Sequence, residues 1–207
     1  MIHLHANIRK YSRSEDGATL VEFAIVTSLF LLLVFGLIDF ARLSFSRVLA
    51  EKATERAVRM AAVRPAVCPN LAATNARGLI GTLSLDVPNG TPCTERTNLC
   101  QQLQASSCLG STDHPTAAAI WAQVEALLPT GAKPENLLFT YHYDPALNRV
   151  GAPYTPIVTV ELADLQFDFI SPMGALARSA GGPDDTTLGQ SFLFPSMSAS
   201  LPAETIR

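Results

Sequence analysis

The sequence predicts an α+β protein in which a long N-terminal transmembrane helix continues into a small domain that contains disulfides. Three observations support this fold class. Residues 23–38, FAIVTSLFLLLVFGLI, contain no charged side chain. Strong helix formers then continue without proline as far as Arg64, and two stretches after Pro65 alternate in the manner of β-strands. A length of 207 residues suits one ordinary domain with an anchor.

The apolar run is long enough to cross a membrane. With residues 18–21 added, it approaches the roughly 20 helical residues that a ~30 Å hydrocarbon core requires. A buried helix of a soluble protein is the alternative, but such helices usually carry a polar stripe. Here Thr27, Ser28 and Gly36 are the interruptions of the apolar surface. The run therefore predicts a membrane span, and membrane lipid is an expected partner.

The second part of the helix is expected to be amphipathic. Its apolar stripe has i+4 and i+3 spacing and consists of Phe45, Leu49, Ala53, Ala57 and Met60. On its polar side, Glu55 is placed to pair with Arg59, and Asp39 is placed to reach Arg42 at the membrane edge. The apolar stripe needs a cover, and the chain after Pro65 is the natural one.

Residues 65–207 have the pattern of an α+β domain. Residues 71–85 and 114–128 are predicted helices, the second with Asp113 as a cap and Pro115 in its first turn. Residues 137–143 and 155–167 are predicted to form a hairpin. Residues 191–201 are a further strand in which Pro195 indicates an edge position or a bulge. Residues 178–189 are predicted to be a loop.

Four cysteines follow the span and none precedes it: Cys68, Cys93, Cys100 and Cys108. Their pattern, C-x24-C-x6-C-x7-C, lacks the paired knuckles of common zinc sites, so two disulfides are the favoured interpretation and a metal site the alternative. Of the three possible pairings, the nested one, Cys93 with Cys100 and Cys68 with Cys108, ties the loop back to the helix end. Disulfides place this part of the chain in an oxidising compartment such as a periplasm.

Basic residues on both flanks bear on the orientation of the span. Those before it are Arg9, Lys10 and Arg13, and those soon after it are Arg42, Arg47 and Lys52. The first group favours a cytoplasmic N-terminus, and the second weakens that preference. The position of the cysteines decides for a cytoplasmic N-terminus and a periplasmic C-terminal domain.

Composition and motifs give no sign of an enzyme. A net charge of −3 offers no general attraction to nucleic acid, which we do not expect as a partner. The chain has no nucleophile elbow, no zinc-protease motif and no phosphate-binding loop, so we expect no catalytic residue, cofactor or metal. His142 and Asp144 are adjacent on one face of a predicted strand, where a solvated sheet surface explains them.

The N-terminal segment resembles a known signal. A charged leader ends in Gly17, and ATLVEF and a long apolar helix follow, as in class III, type IV pilin-like signals. The stretches GATLVEFAIV, LLLVFGLIDFARL and ATERAVRMA resemble the TadE-like minor pseudopilins of Flp (tight adherence, type IVb) pilus systems. The resemblance implies cleavage by prepilin peptidase between Gly17 and Ala18 and a role for Glu22 in subunit assembly.

Together with the sequence patterns described above, the resemblance predicts a division into a leader (1–17), a long helix (18–64) and a periplasmic domain (65–207). The expected partners are the peptidase, other pseudopilins or pilins, and the pilus assembly platform. Cleavage would free the α-amino group of Ala18 one helical turn from Glu22, in reach of a neighbouring subunit's carboxylate. The alternatives are a Glu22 that lies at the interface with no partner, a membrane-anchored or secreted periplasmic binding protein with no pilus role, and an anchored thiol enzyme.

Overall fold

A computed structural model describes residues 16–78, 87–179 and 189–204. Residues 1–15 of the predicted leader, with Arg9, Lys10 and Arg13, lie outside these residues. The described residues divide into two compact units. One comprises those within Met1–Ser44 and Asp168–Ser191, and the other those within Phe45–Phe167 and Phe192–Arg207. The described residues within Asp168–Ser191 thus group with the first part of the N-terminal helix.

Three helices and six strands occur in the described ranges. In chain order they are α1 (Asp16–Val63), β1 (Ser106–Leu109), α2 (Pro115–Val124), β2 (Leu137–His142), β3 (Ile157–Leu162), β4 (Gln166–Phe167), α3 (Met173–Ser179), β5 (Phe192–Leu193) and β6 (Met197–Pro202). Short 3₁₀ turns at Glu125–Leu127 and Pro134–Asn136 follow α2. The predicted fold class, a long apolar N-terminal helix followed by a sheet-containing α+β domain with two disulfides, is confirmed.

Helix α1 contains 48 residues and ends two residues before Pro65, as predicted. Proline lacks the N–H that a helix would use next, so the chain leaves the helix there. The most apolar window of α1 has a mean hydropathy of 2.5, and none of that window is buried. A helix with this length and this exposed apolar surface suggests a single-pass membrane anchor.

The buried face of the second part of α1 is made of small residues. Its fully buried members are Ala50, Ala53, Thr54, Ala57, Val58 and Ala61. The prediction that Phe45 begins this face is wrong, because its side chain is 65% exposed. Small side chains let neighbouring backbone approach closely. The buried face of α1 is therefore formed by these small residues rather than by the larger apolar ones. Glu55 pairs with Lys52, with 3.0 Å between Nζ and Oε2, and not with Arg59 as predicted.

The second unit is built on a four-stranded antiparallel sheet in the order β1-β2-β3-β6. The predicted hairpin is confirmed, with Phe139 opposite Val160 and Tyr141 opposite Val158. Alternate residues of β2 and β3 are buried, as the period-two pattern requires. Strand β6 lies at the edge of the sheet, as predicted. The single strand predicted over residues 191–201 is instead divided around Pro195 into β5 and β6, which belong to different sheets.

Three local predictions of secondary structure are wrong: a helix, a helix cap and the length of a strand. Residues 71–78 are not helical but make isolated bridges, Thr74 with Pro153 and Arg77 with Cys100; residues 79–85 lie outside the described ranges. The N-cap of α2 is His114 rather than Asp113, whose backbone N–H and carboxylate both bond the Ser111 hydroxyl. Strand 155–167 is shorter than predicted and is divided into β3 and β4.

A small apolar cluster lies beside the main core of this unit. It contains Cys93, Leu99, Cys100 and Val150. Nearby, buried Asn75 and Asn148 join two loops, since the Asn75 amide donates to Asn148 Oδ1 at 2.9 Å. Asn148 in turn donates to the carbonyl oxygens of Asp144 and Thr155. These side-chain amides take the place of regular secondary structure in holding the loops.

Candidate functional site

The predicted processing and assembly residues lie together at the start of α1. Helix α1 begins at Asp16, so Gly17, Ala18 and Glu22 occupy its first turns. All three residues are exposed, and apart from the local helix backbone and the adjacent residues no described atom lies within 4 Å of the position that a Cβ on Gly17 would take. Ala18 and Glu22 are four residues apart in one helix, so both lie on the same face one turn apart. This face is open to a partner along its length.

Glu22 is surrounded by apolar side chains that are themselves exposed. Val21 and Phe23 flank it, and Ile25 and Val26 follow on the next turn. In a bilayer, an ionised carboxylate in such a setting costs about 2.5–3.5 kcal/mol near the centre and less towards the interface. A carboxylate in such a setting needs a cation or the polar headgroup region to offset this cost.

The second carboxylate of the apolar region is held differently. Asp39, the first charged residue after the run, is only 1% exposed, whereas Leu37 and Phe40 are 62% and 68% exposed. Its Oδ1 lies 3.8 Å from Nη1 of Arg42, so the predicted pair is confirmed. Its other oxygen accepts a hydrogen bond from the Ser171 hydroxyl. A buried carboxylate needs such partners to offset its lost hydration.

The residues that cover Asp39 come from far along the chain. We call residues 168–179, which include α3, the cover segment. Besides the bond from Ser171, the sulfur of Met173 lies 3.9 Å from the place of a Cβ on Gly36, one turn before Asp39. Met173 therefore lies against the helix surface at Gly36, at an ordinary van der Waals distance. Sequence patterns missed this contact, because neither α3 nor the pairing of Ser171 has a periodic signal.

The four cysteines form two disulfides. Cys68 is bonded to Cys108 and Cys93 to Cys100, the nested pairing. Bonded sulfurs have no thiolate for zinc or for nucleophilic chemistry, which argues against the metal and thiol-enzyme alternatives. The Cys68–Cys108 bond links the end of α1 to β1, a strand that the sequence pattern did not reveal.

Two hydrogen bonds fasten the same helix end to the sheet. The backbone N–H of Val67 donates to the Tyr141 hydroxyl at 3.0 Å, and that of Glu204 donates to the Ala62 carbonyl oxygen at 2.7 Å. Burial raises the pKa of the Tyr141 phenol, an effect that its bond with Val67 partly opposes. With the Cys68–Cys108 disulfide, these contacts join the end of α1 to both the middle and the edge of the sheet.

Just after β2, the side chain of Asp144 has a structural partner. Asp144 accepts a hydrogen bond from the backbone N–H of Ala146 at 2.8 Å and so forms a turn, while His142 is exposed at the end of β2. Within the described ranges, no three His, Cys, Asp or Glu side chains are grouped as they would be around a metal ion. The predicted functional residues, Gly17, Ala18 and Glu22, all lie on α1.

Comparison with known proteins supports this location. Residues 17–59 match the family of TadE-like proteins, the family that the N-terminal motifs resemble. The match begins at Gly17 and includes Ala18, Glu22, Gly36 and Asp39. No curated protein and no solved structure is significantly similar to the chain.

Proposed function

We propose that this chain takes part in Flp pilus assembly as a TadE-like minor pseudopilin. The observation that carries the proposal is the family match over residues 17–59. Those residues contain the proposed cleavage bond between Gly17 and Ala18, the carboxylate of Glu22, and the whole apolar run. A TadE-like segment favours a role in Tad/Flp pilus systems. The finer role, a processed minor subunit, is our proposal.

In this proposal the chain is inserted in the bacterial inner membrane with its N-terminus in the cytoplasm. Residues 1–17 are a leader, residues 18–64 the long helix, and residues 65–207 a periplasmic domain. The exposed apolar surface of α1 supports the anchor. The two disulfides, both after the span, support an oxidising compartment for the domain that contains them.

Glu22 is the proposed assembly residue. Prepilin peptidase would free the amine of Ala18, and the Glu22 carboxylate of one subunit would pair with the Ala18 amine of the next, displaced along the helix axis. Such a pair offsets the cost of keeping Glu22 charged in lipid. The exposure of residues 18–26 supports this role, because side chains that are open to the surroundings can be reached by a neighbouring helix.

The partners in this proposal are lipid, the peptidase, other pseudopilins or pilins, and the assembly platform. The chain acts by packing and needs no cofactor, metal or catalytic residue, and nucleic acid is not a partner. The protein is part of the initiation complex, base or tip of the pilus rather than its bulk subunit, since its C-terminal domain is large.

The Glu22→Ala variant tests the proposal. Expressed in place of the native gene, it is expected to enter the membrane in normal amounts and to lose pili, counted by electron microscopy and by pilin in the sheared fraction. Glu51→Ala is the matched control, because Glu51 is an exposed glutamate of the same helix outside the apolar run. It is expected to leave piliation unchanged.

Normal piliation in Glu22→Ala would contradict the charge pairing. Normal piliation after deletion of the whole gene would contradict the pilus role and favour the alternative, a single-pass anchored or secreted periplasmic binding protein. Equal loss in Glu22→Ala and Glu51→Ala would show that the helix is sensitive to any lost carboxylate, which would also contradict a specific role for Glu22.

A further inference from the structure

The cover segment and the apolar part of α1 show an inverted pattern of exposure. Along one turn of α1, the carboxylate of Asp39 is buried while the apolar side chains of Leu37 and Phe40 face outwards. In the cover segment, Ser171 faces inwards to Asp39, and the neighbouring Ile170 is 73% exposed. An arrangement with polar groups inside and apolar groups outside suits a lipid environment rather than water.

The depth of the cover segment in the membrane follows from the part of α1 that it contacts. Gly36 lies inside the uncharged run, and Met173 of the cover segment lies against it. Asp39 is three residues further along, which is about 4.5 Å at the rise of an α-helix. A segment that contacts both positions lies where the hydrocarbon core ends and the headgroup region begins, provided that α1 spans the membrane.

We infer that the cover segment is a membrane-interfacial element whose exposed apolar side, represented by Ile170, contacts the acyl chains of the bilayer. The Ser171–Asp39 bond fixes its position on α1. Its composition fits such a place, because exposed Asp168 and Arg178 lie near its two ends and keep its backbone ends in the headgroup region while the centre is apolar. This inference rests on the proposed membrane anchor and is independent of any pilus role.

Ile170 is the position from which lipid contact is measured. The chain has one tryptophan, Trp121, so the background is Trp121→Phe, and Ile170→Trp supplies a new reporter. The full-length protein is reconstituted in vesicles of phosphatidylcholine and phosphatidylglycerol, with and without phosphatidylcholine brominated near the ester end of its chains. Bromine quenches tryptophan at close range, so loss of fluorescence measures contact with the acyl chains.

Two other positions calibrate the measurement. Leu33→Trp places the reporter in the apolar run, and Leu109→Trp places it on β1 at an exposed leucine of the second unit. We expect Ile170→Trp to lose most of its fluorescence, as Leu33→Trp does, and Leu109→Trp to keep it. If Ile170→Trp keeps its fluorescence as Leu109→Trp does, the inference is overturned, while the membrane anchor stands. Such a result would be expected if another protein, rather than lipid, covers Ile170.

Two further outcomes are informative. If Leu33→Trp is also unquenched, the membrane anchor is refuted, and the inference is refuted with it. Adding Ser171→Ala to the Ile170→Trp protein is expected to reduce the quenching, because the cover segment loses its bond to Asp39. Ser198→Ala, an exposed serine of β6, is the matched control. Unchanged quenching with Ser171→Ala would overturn the positioning role of Ser171.

Discussion

The hydroxyl of Ser171 donates a hydrogen bond to the carboxylate of Asp39 across 132 residues of sequence. This bond lets an acidic side chain be buried at the end of an apolar run whose neighbouring side chains are exposed. The carboxylate also lies 3.8 Å from Arg42. One partner is local in the helix, and the other is brought by the cover segment, so Asp39 joins the helix to a distant part of the chain.

The first prediction concerns this bond. Ser171→Ala removes the donor to a carboxylate, an interaction worth about 1.5–3 kcal/mol. The equilibrium constant for opening of the cover segment is expected to rise roughly tenfold or more, since 1.4 kcal/mol is a factor of ten in an equilibrium constant. Limited trypsin digestion of the protein in detergent, followed at the exposed Arg178, measures this opening as a faster cut.

Ser198→Ala serves as the control for that digestion, because it removes a hydroxyl from the exposed face of β6. It is expected to leave the rate at Arg178 unchanged. Equal cleavage rates in native protein and Ser171→Ala would contradict a stabilising role for the Ser171–Asp39 bond.

The second prediction ranks the two disulfides. The Cys68–Cys108 bond closes a sequence separation of 40 residues and the Cys93–Cys100 bond one of 7. From chain entropy alone, the longer loop is worth roughly 4 kcal/mol and the shorter roughly 2.5 kcal/mol. The pair of changes Cys68→Ser and Cys108→Ser is therefore expected to lower the free energy of unfolding more than Cys93→Ser with Cys100→Ser.

Denaturant unfolding followed by circular dichroism compares these two double variants. Each is the control of the other, because each removes one disulfide and adds two hydroxyls. The reverse ranking would contradict the view that the Cys68–Cys108 bond is the main covalent tie between the helix end and the sheet.

The third prediction concerns the small residues of α1. Ala57 is fully buried, so Ala57→Leu adds three carbon atoms to a packed site and is expected to lower the free energy of unfolding by about 1–3 kcal/mol. Arg56→Leu, one residue away on the exposed side, is expected to change it by less than about 0.5 kcal/mol. Equal effects of the two leucines on denaturant unfolding would contradict the buried face assigned to α1.

The fourth prediction is a pH dependence. Tyr154 is 3% exposed, and burial raises its pKa to about 12, with a smaller contribution from Tyr143, whose ring is stacked 6.2 Å away. Between the usual pKa of 10 and about 12, the unfolded chain loses this proton and the folded chain keeps it. The free energy of unfolding therefore falls as the pH rises through this window, and is unaffected by Tyr154 below it.

Tyr154→Phe is expected to make this fall less steep. In native folded protein, the ultraviolet absorbance of phenolate should show a tyrosine that titrates near pH 12, and this step should be absent from Tyr154→Phe. A native titration that is complete near the usual tyrosine pKa would contradict the buried state of the phenol.

Regular patterns in the sequence predicted the backbone of this structure well. Period-two alternation located β2 and β3, because each has one buried face. The uncharged run and the proline-free stretch after it located α1, whose end is fixed by Pro65. The pair of Asp39 with Arg42 was predictable as well, since it depends only on helical spacing.

Contacts between distant residues were not predictable in this way. Ser171 and Asp39 belong to segments with no shared periodicity, and α3 is only seven residues long. Residues 71–78 have helix-forming composition, yet the buried amide of Asn75 bonds Asn148 and Pro153 instead. Tertiary hydrogen bonds outweigh a local preference of a few tenths of a kcal/mol per residue.

The central claim is that Ala18 becomes the first residue of the mature protein. Mass spectrometry of the N-terminal peptide, from otherwise identical cells with and without prepilin peptidase, tests it most directly. We predict a mature N-terminus at Ala18 with the peptidase, and a chain that keeps its leader without it. An intact leader in both strains, or a cut beyond Ile38 that does not depend on the peptidase, would contradict the assignment.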